Sequence, residues 1–213
     1  MPSFRDISVS QVIVDGKKKL NVHNPTKHPM IGIGAQGAVF RLSPDKCVKV
    51  YEAASTAEWE AKALAAAKEV GCFPKLYEKG EKYVVMEYVE GPTLQDYLDD
   101  KSKFTDEMAA QILDIVKQMR KMKFARIDTR LGHIIVTKGG QLKVIDHSGA
   151  FRVVRRAPGM LLKSLEKAGV LKPFLRYTAK NDPRLYEKWQ QKLKGDIGVD
   201  DVPKLPKIEK LLQ

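Results

Sequence analysis

The chain has 213 residues, 43% of them hydrophobic, which is enough to bury a substantial core as one large domain or two lobes. Thirty-eight basic against 26 acidic side chains give a formal net charge of +12, favouring anionic partners such as nucleotides, RNA or acidic protein surfaces. No apolar run approaches the roughly 20 residues a spanning helix needs, and the first ten residues lack the apolar centre of a signal peptide, so a cytoplasmic protein with no membrane partner is expected.

The lysines are spread along the chain and the aromatic residues do not alternate with them. A solvated basic surface is therefore the plainer reading, with RNA contact a secondary property. Cys47 and Cys72 fall inside element-forming segments without metal-ligand spacing and read as buried, reduced thiols.

In chain order, Phe4 to Val22 holds two apolar stretches, around Val9 to Val14 and Leu20 to Val22. The turn Asp15-Gly16-Lys17 between them makes a leading hairpin. Asn24-Pro25-Thr26-Lys27-His28-Pro29 breaks the pattern, and His23 and His28 beside it read as solvated. Next, Gly32, Gly34 and Gly37 free the backbone where side chains would block a ligand, and Val39 opens an alternating strand, Ala38 to Leu42. Ser43-Pro44-Asp45-Lys46 turns the chain into a further strand, Cys47 to Tyr51, that bears Lys49. A dinucleotide fingerprint needs a helix directly after its glycines, whereas a strand follows here; a polyphosphate beneath the loop suits the pattern.

Ser55 and Glu58 make a capping box, and Trp59, Ala63, Ala66 and Val70 recur at helical spacing up to a stop at Gly71. Phe73 to Glu78 and Tyr83 to Tyr88 read as strands joined by Lys79-Gly80-Glu81, the second running into Met86-Glu87-Tyr88-Val89-Glu90-Gly91-Pro92. Thr93 to Asp100 and Thr105 to Lys123 read as helices, the longer with Ile112, Val116, Met119 and Lys123 on one side. Arg126-Ile127-Asp128-Thr129-Arg130-Leu131-Gly132-His133 is a polar loop leading into a buried-type strand. The hairpin Ile134 to Ile145, turning at Lys138-Gly139-Gly140, then delivers Asp146, so two aspartates stand at the mouths of adjacent loops. Helices are expected at Met160 to Ala168 and Pro183 to Lys194. A non-helical tail, Val202 to Pro206, precedes a short amphipathic segment, Ile208 to Leu212, that docks on the body or on a partner.

Singly these are ordinary surface charges; their order is what distinguishes them. Residues from about 30 to 150, over half the chain, resemble the catalytic core of the protein kinase-like superfamily. The overall size resembles compact atypical members such as RIO-type and small bacterial serine/threonine kinases. The resemblance implies an α+β, bilobal protein kinase-like fold. Its N-lobe, 1–90, would be a small antiparallel sheet with one helix, and its C-lobe, 91–213, mainly helical.

It also implies ATP as cofactor with Mg2+ or Mn2+, and an acceptor protein as partner. Gly32, Gly34, Gly37 and Val39 would cover the nucleotide, Lys49 would reach the phosphates, and Glu60 would hold Lys49 extended. Met86 would guard the rear of the adenine site, while the Glu87 carbonyl and Val89 amide bind the adenine edge. Asp128 would accept the proton of the attacking hydroxyl and Arg130 would neutralise the transferring phosphoryl. Asp146 would bind metal, with His133 at the position of a second ligand.

Three departures from the family pattern stand out. Arg126-Ile127-Asp128 replaces His-Arg-Asp, so no basic residue immediately precedes the aspartate to receive an activation-loop phosphate. Asp146-His147-Ser148-Gly149 replaces Asp-Phe-Gly. His133 stands where the family has asparagine, and imidazole suits softer metals better than magnesium. The expected activity is ATP-dependent transfer to protein serine or threonine, and the alternative is a nucleotide-binding pseudokinase or scaffold. A small-molecule phosphotransferase is disfavoured by the short C-terminal region.

Overall fold

The computed structural model describes residues 2–192 and 204–212. The chain divides into two compact units, Met1–Val89 with Asp146–Gly149, and Glu90–Ile145 with Ala150–Gln213. The fold is α+β, with a five-stranded antiparallel sheet and several helices, and is consistent with a kinase-like fold.

The first unit opens with β1 (Ser8–Val14) and β2 (Lys17–His23), an antiparallel pair. Its two-residue turn has Asp15 at φ 53° and Gly16 at φ 69°, the positive values a twisted tight hairpin requires. The five-stranded sheet comprises β3 (Met30–Ile33), β4 (Gly37–Arg41), β5 (Lys46–Tyr51), β6 (Leu76–Lys79) and β7 (Tyr83–Glu87), in the order β3-β4-β5-β7-β6. One helix, α1 (Ala54–Ala66), lies between β5 and β6 in sequence.

The two-residue period of β5 sends its side chains into two cores. Val48 and Val50 join Ile7, Val9, Ala38, Phe40 and Val85, the core that also takes Leu20 and Val22 of the hairpin. Cys47 and Tyr51 join Ala57, Ala61 and Leu64 of α1 with Val84 and Met86. Lys49 shares the parity of Cys47 and Tyr51 and so stands on the α1 side.

Here α1 departs from expectation. Its N-cap is Ala53, with no side-chain cap bond, and Glu58 instead pairs with the Lys79 ammonium, so the Ser55 capping box does not form. The helix ends at Ala66 rather than near Val70. Of the expected stripe, Ala63 is fully buried, Trp59 and Val70 are half-buried and Ala66 is exposed, while Ala57, Glu60, Ala61 and Leu64 extend the buried face. The stripe is met only in part because alanine is nearly neutral as a marker of which side faces inward.

In the second unit, α2 (Leu94–Tyr97) is capped by the Thr93 hydroxyl, and a 3-10 turn follows at Lys101–Lys103. Helix α3 (Asp106–Lys121) is capped by the Thr105 hydroxyl, which accepts the Met108 amide. Lys123, expected on its inner side, lies beyond the helix at φ 59° and is exposed. A 3-10 turn at Leu131–His133 leads into β8 (Ile134–Val136), paired antiparallel with β9 (Leu142–Val144). Gly91 is required at φ 153°, since a Cβ there would lie 2.0 Å from the Val136 carbonyl oxygen.

Helices α4 (Gly159–Lys167), α5 (Leu171–Asn181), α6 (Pro183–Lys192) and α7 (Ile208–Leu212) complete the unit. α5 was not anticipated from sequence. Its Pro173 sits in the first turn, where the missing amide has no helical acceptor to lose. Leu161, Phe174, Tyr186 and Trp189 are among the fully buried side chains, and the Phe174 and Trp189 rings stack with centroids 6.3 Å apart. The tail docks on this unit: the Arg176 Nε donates to the Leu211 carbonyl at 3.1 Å, and the Tyr186 hydroxyl to that of Pro206 at 2.7 Å. The expected helical residues 193 and 194 and the start of the tail at 202–203 lie outside the described residues. Among the described residues no helix is long and apolar enough to cross a membrane.

Candidate functional site

Within the first unit, β5 holds Lys49 opposite Val39 on β4 and Val84 on β7. The Lys49 ammonium lies 2.9 Å from Asp146 Oδ1 and 3.7 Å from Glu60 Oε2. Glu60 is only 1% exposed, and its other oxygen accepts the His147 amide at 2.8 Å. Three sequence-selected residues, distant in the chain, are thus brought together. Burial works to lower the Lys49 pKa, but the charges of Glu60 and Asp146 outweigh it and the net shift is upward. One cation against two carboxylates leaves the cluster with a net negative charge, which a bound cation would balance. Asp146 adopts φ 67°, the left-handed region that costs a side chain energy and often marks a functional position.

Two residues that sequence reasoning passed over complete this cluster. Tyr51 is fully buried, and its ring centroid lies 5.2 Å from the Lys49 ammonium. Burial pushes its hydroxyl pKa well up, with the Glu60 and Asp146 charges adding to the effect. The signal was present, because residue i+2 on a strand shares the face of residue i. His147 is buried with its ring 4.8 Å from that of Phe73, a contact with no signature in the sequence.

The three glycines differ in why they are small. A Cβ on Gly37 would meet the Val50 carbonyl oxygen at 2.4 Å, so the strand pair itself demands glycine there. At Gly32 and Gly34 the nearest atoms would be 3.9 Å away, so the protein itself leaves room for a side chain there. At the tip, the Ser148 hydroxyl donates to Gln36 Oε1 at 3.2 Å. Val39 is half-buried and Met86 is buried in the α1-side core. The Glu87 carbonyl accepts the Cys47 thiol at 3.7 Å, and Val89 is half-buried.

In the second unit, Asp128 is 4% exposed. Its carboxylate oxygens accept the Met160 amide at 3.0 Å and the Leu161 amide at 3.1 Å, capping α4, whose own N-cap, Pro158, supplies no side-chain bond. Burial raises the Asp128 pKa against the lowering effect of those two amides and of Arg126. Arg130 is exposed, and its carbonyl accepts the His133 amide at 2.9 Å. His133 is half-buried, and its carbonyl accepts the Ile145 amide at 2.8 Å. Among the described residues no three His, Cys, Asp or Glu side chains are grouped to hold a metal. Magnesium commonly needs only one or two carboxylates, with water and phosphate supplying the rest, so the Asp146 carboxylate fits such a role.

No protein-family model matches the chain. Over 122 residues it is 29% identical to YrzF of Bacillus subtilis (strain 168), a protein provisionally named a serine/threonine-protein kinase. The match covers 55% of this chain and 57% of that protein, so the chain spans little more than half of its relative. This likeness supports a kinase-like family and nothing finer.

Proposed function

We infer that the chain transfers a phosphoryl group from ATP to a serine or threonine hydroxyl of an acceptor protein. The observation supporting this best is the Lys49, Glu60 and Asp146 cluster, in which a buried carboxylate steadies a lysine beside a second, more exposed carboxylate. Such a lysine can bind phosphate oxygens. Gly32, Gly34, Gly37 and Val39 cover the nucleotide, with Met86 behind the adenine and the Glu87 carbonyl and Val89 amide at its edge. Asp146 and His133 hold Mg2+ or Mn2+, which when bound neutralises charge on the phosphates. Asp128 takes the hydroxyl proton and Arg130 draws charge from the moving group.

A second reading, nucleotide binding without turnover, is favoured by one observation. Both oxygens of Asp128 are engaged by α4 amides, and a base must reach the proton it removes. The two readings separate in a transfer assay with radiolabelled ATP, dephosphorylated casein and either Mg2+ or Mn2+, run beside nucleotide-binding calorimetry. Transfer that disappears in Asp128→Ala and Asp146→Asn while both variants stay folded supports catalysis. Metal-dependent nucleotide binding without transfer supports the second reading, and absence of nucleotide binding overturns both.

A further inference from the structure

The second unit contains a cavity of about 440 Å3, lined by Glu166 of α4, Gly169, Leu171, Lys172 and Leu175 of the α4–α5 corner, and Lys204, Pro206, Lys210 and Leu211 of the C-terminal segment. Side-chain bonds to the chain's last backbone segment hold the wall in place. The Pro206 carbonyl accepts from both the Tyr186 hydroxyl at 2.7 Å and Gln190 Nε2 at 2.6 Å, and the Leu211 carbonyl accepts from Arg176. A Cβ on Gly169 would lie 2.7 Å from the Lys101 ammonium nitrogen, so a fourth lysine borders the cavity at that glycine.

Lys101, Lys172, Lys204 and Lys210 are all exposed, and none has an acidic partner within ion-pair distance among the described residues. Four ammonium groups against one carboxylate repel one another, and an anion seated among them relieves that repulsion. Beneath the charged rim the lining is aliphatic: Leu175 and Leu211 are buried, and Leu171 and Pro206 half-buried. An occupant therefore needs several negative charges and an aliphatic group.

We propose that this cavity is a docking site for an acidic peptide segment, one aliphatic side chain entering the leucine-lined floor and flanking carboxylates meeting Lys101, Lys172, Lys204 and Lys210. Among the described residues no aromatic ring lines the cavity to stack a nucleic-acid base. The leucines are recessed rather than projecting, as insertion into a bilayer would require. The inference stands apart from phosphoryl transfer, since it concerns binding alone.

The test is fluorescence anisotropy with a fluorescein-labelled peptide carrying one leucine flanked by glutamates, titrated with the full chain. Saturable binding is expected, weakening with salt and falling about tenfold or more when glutamine replaces the glutamates. The triple variant Lys172→Glu, Lys204→Glu, Lys210→Glu should weaken it by about tenfold or more with an unchanged melting temperature, because all three side chains are exposed. Equal affinity in the triple variant or for the glutamine peptide overturns the proposal. So does displacement of the peptide by a single-stranded oligonucleotide or by phosphatidylserine vesicles at lower concentration than by unlabelled peptide.

Discussion

Replacing Lys49 by methionine leaves Glu60 in the core with the His147 amide as its remaining hydrogen-bond donor. Coulomb's law at an effective dielectric near 20 gives about 4.5 kcal/mol for unit charges 3.7 Å apart, the Lys49–Glu60 distance. Part of that is offset because methionine removes the cost of burying the ammonium. A net loss of about 3 kcal/mol remains, as is usual when one partner of a buried pair is removed. For a chain of this size that lowers the melting temperature by about 6–12 °C.

Adding Glu60→Gln should recover most of the loss, since a neutral amide oxygen still accepts from His147. Thermal unfolding followed by circular dichroism, for wild type, both single variants and the double variant, completes the cycle. A Lys49→Met melting point within about 1 °C of wild type, or no recovery in the double variant, would refute the reasoning.

Three further outcomes follow from the same physics. Asp128 has a raised folded pKa, so its contribution is greatest below the unfolded value and is lost as pH rises through the folded one. The melting point of Asp128→Asn should therefore gain on wild type between pH 4 and pH 7, and a constant difference would contradict this. Gly37→Ala places a Cβ 2.4 Å from the Val50 carbonyl and should cost about 2 kcal/mol or more in urea unfolding, whereas Gly34→Ala should cost less than about 1 kcal/mol. The Cys47 thiol is pushed up to about 12 by burial, so it should resist iodoacetamide at pH 8 in the folded chain and react after unfolding; fast alkylation in the native state would show that the burial is wrong.

Much of the secondary structure in both units was legible because its signals are local. The Asp15-Gly16 turn, the alternation through β4 and β5, and the hydroxyl caps at Thr93 and Thr105 each depend on residues within four positions of one another. The errors came where local signals compete or fade. Ser55 and Glu58 satisfy a capping pattern, but Lys79 on β6 takes Glu58 instead. The alanine-rich α1 gives little contrast between its faces, and no element was expected over α5.

The sequence by itself determined the order of the chemical groups: glycines, strand lysine, helix glutamate and two loop aspartates, together with the parity that puts Lys49 and Tyr51 on one face of β5. Only the tertiary structure decided their partners. Asp146 meets Lys49 across 97 positions of chain, and the His147 amide meets Glu60 across 87. Asp128, expected from the resemblance to accept the hydroxyl proton, also accepts an amide at the start of α4, 32 positions away. Charge and parity are properties of a residue and its neighbours, whereas hydrogen-bond satisfaction in a buried site depends on whichever backbone amide the packing delivers.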